Sequence, residues 1–114
     1  LNVFSSAAYN TISDPGTGAA IPVNQSANIT LTVAVTGETN SLANPSFAGQ
    51  ILAISAGTLG GGDTRIVTVA DSFNAANNTI ATFTAPGQSI IFIGTLVGAN
   101  LRWRVLTNNA VGLS

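Results

Sequence analysis

Among 114 residues there is no His, Cys, Met or Lys, and the formal charges come from three Arg and four Asp or Glu, for a net charge of −1. Charged residues make up 6% of the chain against roughly a quarter in an ordinary soluble domain, while 46% is apolar. This composition excludes disulfides and thiolate metal sites, a Cys or Lys nucleophile, a His base, and the basic cluster that a nucleic-acid backbone requires.

The first segment, residues 1–25, alternates weakly and holds Pro15 and Pro22, with a turn expected at Asp14-Pro15-Gly16. It is expected to be an extended N-terminal arm that becomes ordered against a partner, with an edge strand plus a loop as the alternative. No basic n-region precedes an apolar core, so no secretion signal is expected.

Residues 26–114 form the expected domain. Ile29, Leu31, Val33 and Val35 alternate with Thr30, Thr32, Ala34 and Thr36, which places branched aliphatics on one face of a strand and mostly hydroxyls on the other. A turn at Thr36-Gly37-Glu38 follows. Further strands are predicted at Ile51–Ser55, Thr64–Ala70, Thr79–Thr84, Ser89–Leu96 and Leu101–Thr107, each rich in Ile, Val, Thr or Phe and bounded by turn formers. Gly60-Gly61-Gly62-Asp63 and Ala85-Pro86-Gly87 read as links. The last hairpin pairs Ile90–Leu96 with Leu101–Leu106 across Gly98-Ala99-Asn100, where Asn100 can accept a left-handed conformation.

Strong helix formers for exposed faces are scarce, and Thr, Asn, Ser and Gly abound. The fold class that follows is all-β: one compact antiparallel β-sandwich, jelly-roll-like, with its core on Trp103, Ile29, Leu31, Val33 and Val35. The longest purely apolar run of large side chains, Ile90-Ile91-Phe92-Ile93, is far short of the ~20 residues of a membrane helix, so no membrane partner is expected.

The four carboxylates, Asp14, Glu38, Asp63 and Asp71, lie far apart in sequence and each sits in or beside a turn. A converging pair is what glycoside hydrolysis would need, but turn Asp residues ordinarily bond their own backbone. Calcium is the one metal whose oxygen chemistry Gly62-Asp63 could serve, and no Asp-x-Asp cluster accompanies it. Matches to the glycosylation pattern at Asn24, Asn28 and Asn77 are expected by chance in a chain this rich in Asn, Ser and Thr. The pairs Thr30/Thr32 and Thr82/Thr84 follow no fixed repeat and belong on exposed strand faces. No catalytic residue, metal or cofactor is therefore assigned.

In Leu101-Arg102-Trp103-Arg104-Val105, alternation sends Leu101, Trp103 and Val105 to one face and both arginines to the other. Trp103 is expected in the core. Arg102 and Arg104 are either solvated strand residues or guanidinium groups that meet carboxylates of a neighbouring subunit.

The C-terminal part carries a resemblance. Thr82-Phe83-Thr84-Ala85-Pro86-Gly87-Gln88-Ser89-Ile90-Ile91-Phe92, then Gly98 to Asn100, then Trp103-Arg104-Val105-Leu106-Thr107-Asn108-Asn109-Ala110-Val111, together resemble the ending of many small virion proteins of tailed bacteriophages. Upstream, Gly18-Ala19-Ala20-Ile21-Pro22-Val23 and Phe47-Ala48-Gly49-Gln50-Ile51-Leu52 are similar to the start of the same modules. The resemblance implies a β-rich head decoration (cement) or fibre-associated protein, often trimeric, without catalytic residues.

The resulting expectation is a structural virion protein on the outer capsid surface. Its partners would be itself, as a homotrimer, and the major capsid protein, with Arg102, Arg104, Tyr9 and Phe4 as interface residues. A net charge near zero gives little self-repulsion and agrees with a surface covered in use. The alternative is a head-fibre or tail-fibre module that binds a host surface glycan, with Tyr9 as the exposed ring.

Overall fold

The computed structural model describes residues 10–33, 37–59 and 63–114; the side chains of Val33 and Leu59 are outside that description. Among the described residues there are ten strands and no helix. They are β1 (Asn10–Ile12), β2 (Ala20–Ile21), β3 (Ala27–Val33), β4 (Glu38–Leu42), β5 (Ile51–Leu59), β6 (Arg65–Val69), β7 (Ile80–Phe83), β8 (Ser89–Val97), β9 (Asn100–Asn109) and β10 (Gly112–Leu113). Sheet A has the order β1-β3-β5-β8-β9 and sheet B the order β10-β7-β6-β4-β2, so the chain is an all-β sandwich of two five-stranded sheets.

The expected strand direction needs correction. Four of the eight pairings are parallel: β1 with β3, β3 with β5, β2 with β4, and β4 with β6. The antiparallel, jelly-roll-like arrangement therefore does not describe the first half of the chain. The physical reason lies in the links. From β1 to β6 each one crosses from one sheet to the other instead of turning back as a hairpin. The chain thus winds as a flattened coil, and every turn of the coil lays a strand parallel to the one before it. Antiparallel pairing begins only at β7, and β8 and β9 form the long hairpin that completes sheet A.

Residues 10–25, which the sequence groups with an arm, lie within the sandwich. They supply β1 to sheet A and β2 to sheet B, as the edge-strand alternative has it, and Ile21 is buried in the core. Strands of three and two residues are too short to show alternation.

Period-two patterning builds the core. Ala27, Ile29 and Leu31 of β3, Leu52, Ile54 and Ala56 of β5, Ile90 and Phe92 of β8 and Trp103 of β9 are buried from sheet A, against Leu42, Val67, Val69, Ala81 and Phe83 from sheet B. Phe73, in the β6–β7 link, also enters the core. Its ring lies 5.4 Å from that of Phe92, which in turn lies 6.2 Å from Trp103, both in tilted pairs. The Trp103 indole N–H donates to the Ala43 carbonyl at 2.8 Å, so burial leaves no polar atom of the ring unpaired.

The tip of the β8–β9 hairpin lies at Gly98 and Ala99. Gly98 takes the left-handed conformation there, with φ of +64°, and Asn100 begins β9. After β9 the chain reverses at Ala110, whose φ is also +64°. The turn is held by Asn108, whose amide donates to the Val111 carbonyl and accepts from the Val111 N–H, each at 3.0 Å.

Candidate functional site

The strongest charge cluster is internal and centres on Arg65, a residue that the sequence marks only as a member of a strand. Alternation of β6 points Arg65 between the sheets, where it is 1% exposed. Its Nη2 donates to Asp14 Oδ1 at 2.6 Å and its Nη1 to Asp14 Oδ2 at 3.1 Å, a two-point ion pair. Nη1 also donates to the Thr32 carbonyl at 2.6 Å and Nε to Asn40 Oδ1 at 2.6 Å. Asn40, itself buried, passes its amide hydrogens to the carbonyls of Gly16 and Ala19 at 2.8 and 3.0 Å. The network thus ties β3, β4 and β6 to the link between β1 and β2.

Asp14 also accepts from the N–H groups of Gly16 (2.8 Å) and Thr32 (2.9 Å), the former being the turn expected at Asp14-Pro15-Gly16. Burial raises its carboxyl pKa. The hydrogen bonds from Arg65, Thr32 and Gly16 and the charge of Arg65 outweigh that and lower it from 3.8 to about 2. The carboxylate is wholly engaged, and its role is to fasten the fold.

Arg102 and Arg104 stand on one face of β9, opposite to buried Trp103, as alternation predicts. Both guanidinium groups meet groups of this same chain. Arg104 donates to the Ser72 carbonyl at 2.9 Å, and Arg102 lies 3.7 Å from Asp71 in a partly exposed pair. Asp71 in turn accepts from the Asn44 side-chain amide at 2.6 Å. A pair this long and this exposed contributes little to stability. Its effect is to lay both arginines along the β6–β7 link.

The outer face of sheet A carries a feature that strand pairing brings together. Pairing sets Ile51 beside Ile93 and Arg104 in one row, and Ala53 beside Ile91 and Thr107 in the next. Ile51, Ala53, Ile91 and Ile93 are all half-exposed. The run Ile90-Ile91-Phe92-Ile93 is now explained: Ile90 and Phe92 enter the core, and Ile91 and Ile93 form an aliphatic strip outside. On the β3 side the strip is bordered by Asn28 and Thr30, and further along β3 the Thr32 hydroxyl donates to Asp14 Oδ2 at 3.3 Å. Further exposed apolar groups lie at the hairpin tip (Leu96, 63%) and on β9 (Leu106, 58%). Leu106 is the extra residue of a bulge, since Ile91 pairs with Thr107 and Phe92 with Val105.

Of the other expected positions, Ile29 and Leu31 are buried with Trp103. Phe4, Tyr9 and Val35 lie outside the described residues, as does the side chain of Val33. Of the other carboxylates, Glu38 begins β4 in register with Arg65 and Asp63 precedes β6 by two positions, at the end where Asp14 meets Arg65, whereas Asp71 follows β6 at its other end. Among the described residues, no three acidic, His or Cys side chains group as metal ligands. Comparison with models of known protein families and with curated proteins finds no match.

Proposed function

We propose that this chain is a structural virion protein that decorates the outer surface of a phage head as a homotrimer and stabilises contacts between major capsid subunits. The observation that carries this reading is the aliphatic strip Ile51, Ala53, Ile91 and Ile93 on the outer face of sheet A, in a chain with almost no charge. The outer face of a sandwich strand is ordinarily polar. An aliphatic strip on a rigid sheet, flanked on β9 by Arg104, suits permanent seating on an apolar area of a protein shell, where burial supplies about 25 cal/mol per Å² before the costs of association. The resemblance of Thr82–Val111 to small phage virion proteins supports the same reading.

The coiled half of the chain favours a second reading, a fibre-associated module that binds a host glycan. Strands that alternate between two sheets in parallel register are how solenoidal shafts are built.

The test is sedimentation of undecorated heads with the purified protein. Under the first reading the protein pellets with heads to saturation at a fixed ratio to capsid subunits. The double substitution Ile91→Thr/Ile93→Thr, which keeps β propensity but removes the strip, abolishes pelleting while the variant stays folded. Protein that stays in the supernatant at saturating concentration overturns the reading.

A further inference from the structure

We infer that copies of this chain join head to tail through the edges of sheet A, with β9 of one copy running parallel to β1 of the next. This rests on the self-assembly proposed above and names the surface that performs it.

The argument begins with strand direction. β1, β3 and β5 are mutually parallel, β8 is antiparallel to β5, and β9 is antiparallel to β8. Strand β9 therefore runs in the same direction as β1. In sheet B, β10 runs with β2 for the same reason, through β7, β6 and β4. The pair β9–β10 is thus another turn of the same coil, with the antiparallel pair β7 and β8 interposed. A second copy placed beyond β9 with its strands running the same way presents β1 in the parallel sense that already joins β1 to β3.

The edges themselves are suited to this. β9 is ten residues long and ends sheet A, and among the described residues no strand pairs with its outer side or with that of β1. One acceptor of β9 is taken within the chain, since the Trp103 carbonyl accepts from Arg104 Nη1 at 3.2 Å; the remaining edge donors and acceptors are a template for another strand. The edge of β3 beyond β1 is closed differently, because the Thr32 N–H donates to Asp14.

Charge selects between partners. A twofold contact would pair β9 with β9 and bring Arg102 and Arg104 of both copies onto one face, and like charges opposed across strands are destabilising. β1 consists of Asn10, Thr11 and Ile12 and brings no charge. A head-to-tail contact also closes into a ring when successive copies are rotated, as a trimer requires.

Because the chain has no Cys, single cysteines report the contact without background. Thr11 and Thr107 are exposed and share one row across the outer face of sheet A, through Asn28, Ala53 and Ile91. Thr11→Cys and Thr107→Cys are made separately, then co-expressed, and treated with a short bis-maleimide reagent. The expected result is a covalent dimer in the co-expressed sample and none in either variant alone. Cross-linking of Thr107→Cys alone shows β9 paired with itself and overturns the inference. Absence of cross-linking in a sample that light scattering shows to be trimeric also overturns it, while leaving the proposed trimer in place. A monomer by light scattering overturns both.

Discussion

Asp14 and Arg65, 51 residues apart in sequence, close a two-point ion pair at 2.6 and 3.1 Å that fastens the link between β1 and β2 to strands of both sheets. Arg65 is 1% exposed, and every donor that the structure directs from it meets an oxygen of Asp14, Asn40 or Thr32. Removing Arg65 leaves the Oδ1 of buried Asn40 without its donor and takes the counter-charge from Asp14, which is 19% exposed and keeps its bonds from Gly16 and Thr32. Arg65→Leu is therefore expected to cost about 1–3 kcal/mol in urea unfolding. Adding Asp14→Ala to Arg65→Leu should recover part of the loss, since the orphaned carboxylate is then gone, and the double-mutant cycle should show a large coupling term.

Acid stability follows from the same pair. The Asp14 pKa is about 2 in the folded chain against 3.8 ordinarily, so the folded state holds its proton less tightly than the unfolded state does. The contribution of Asp14 is complete above pH 3.8 and is lost as pH falls through about 2. Denaturant titrations over that window should show stability falling with pH in the wild type. In Asp14→Asn this part of the slope should vanish, with a lower stability already at neutral pH.

Gly94, in the middle of β8, is there for space. A Cβ at this position would lie 2.6 Å from the Phe47 carbonyl oxygen and 2.9 Å from the Pro45 side chain. The β4–β5 link passes directly over the strand, held by the Gly49 N–H on the Gly94 carbonyl (2.8 Å) and the Gly94 N–H on the Gln50 carbonyl (2.7 Å). Gly94→Ala should cost about 1–3 kcal/mol through overpacking, read from the shift in the denaturation midpoint.

Ala110 gives the opposite expectation. It adopts a φ of +64° in the turn between β9 and β10, which costs an L residue with a Cβ about 1–2 kcal/mol. Glycine removes that strain but makes the unfolded chain more flexible, offsetting about 0.5–1 kcal/mol. Ala110→Gly should therefore raise stability by about 0.5–1 kcal/mol, with the Asn108–Val111 hydrogen bonds intact. A loss of stability would show that the turn is not strained.

The sequence revealed what strict alternation encodes and little else. The hairpin β8–β9 and the strands β5, β6 and β7 were readable because each is rich in Ile, Val, Thr or Phe between turn formers, and β3 because its apolar residues recur every second position. The burial of Trp103 followed from the same alternation. Strand β4, Glu38–Leu42, was not readable, because the first of its two buried positions is filled by Asn40, whose polarity makes sense only beside Arg65. Arg65 itself looked like any strand residue, since its partner lies 51 positions away. The one available signal was a lone Arg at an inward position of an otherwise aliphatic strand. Parallel pairing was equally hidden, because the direction of a strand depends on whether its link crosses between sheets, and the turn residues are the same in both cases. The aliphatic strip could have been suspected from β8, which is apolar at positions of both parities.

The most direct test of the account is the mass of the purified protein in solution by light scattering. A structural protein whose uncharged surface is completed by its own copies should have close to three times the chain mass of 11.4 kDa, unchanged over a wide range of concentration. A stable monomer at 11.4 kDa would contradict it, leaving the aliphatic strip and the open edges of sheet A without the self-assembly assigned to them.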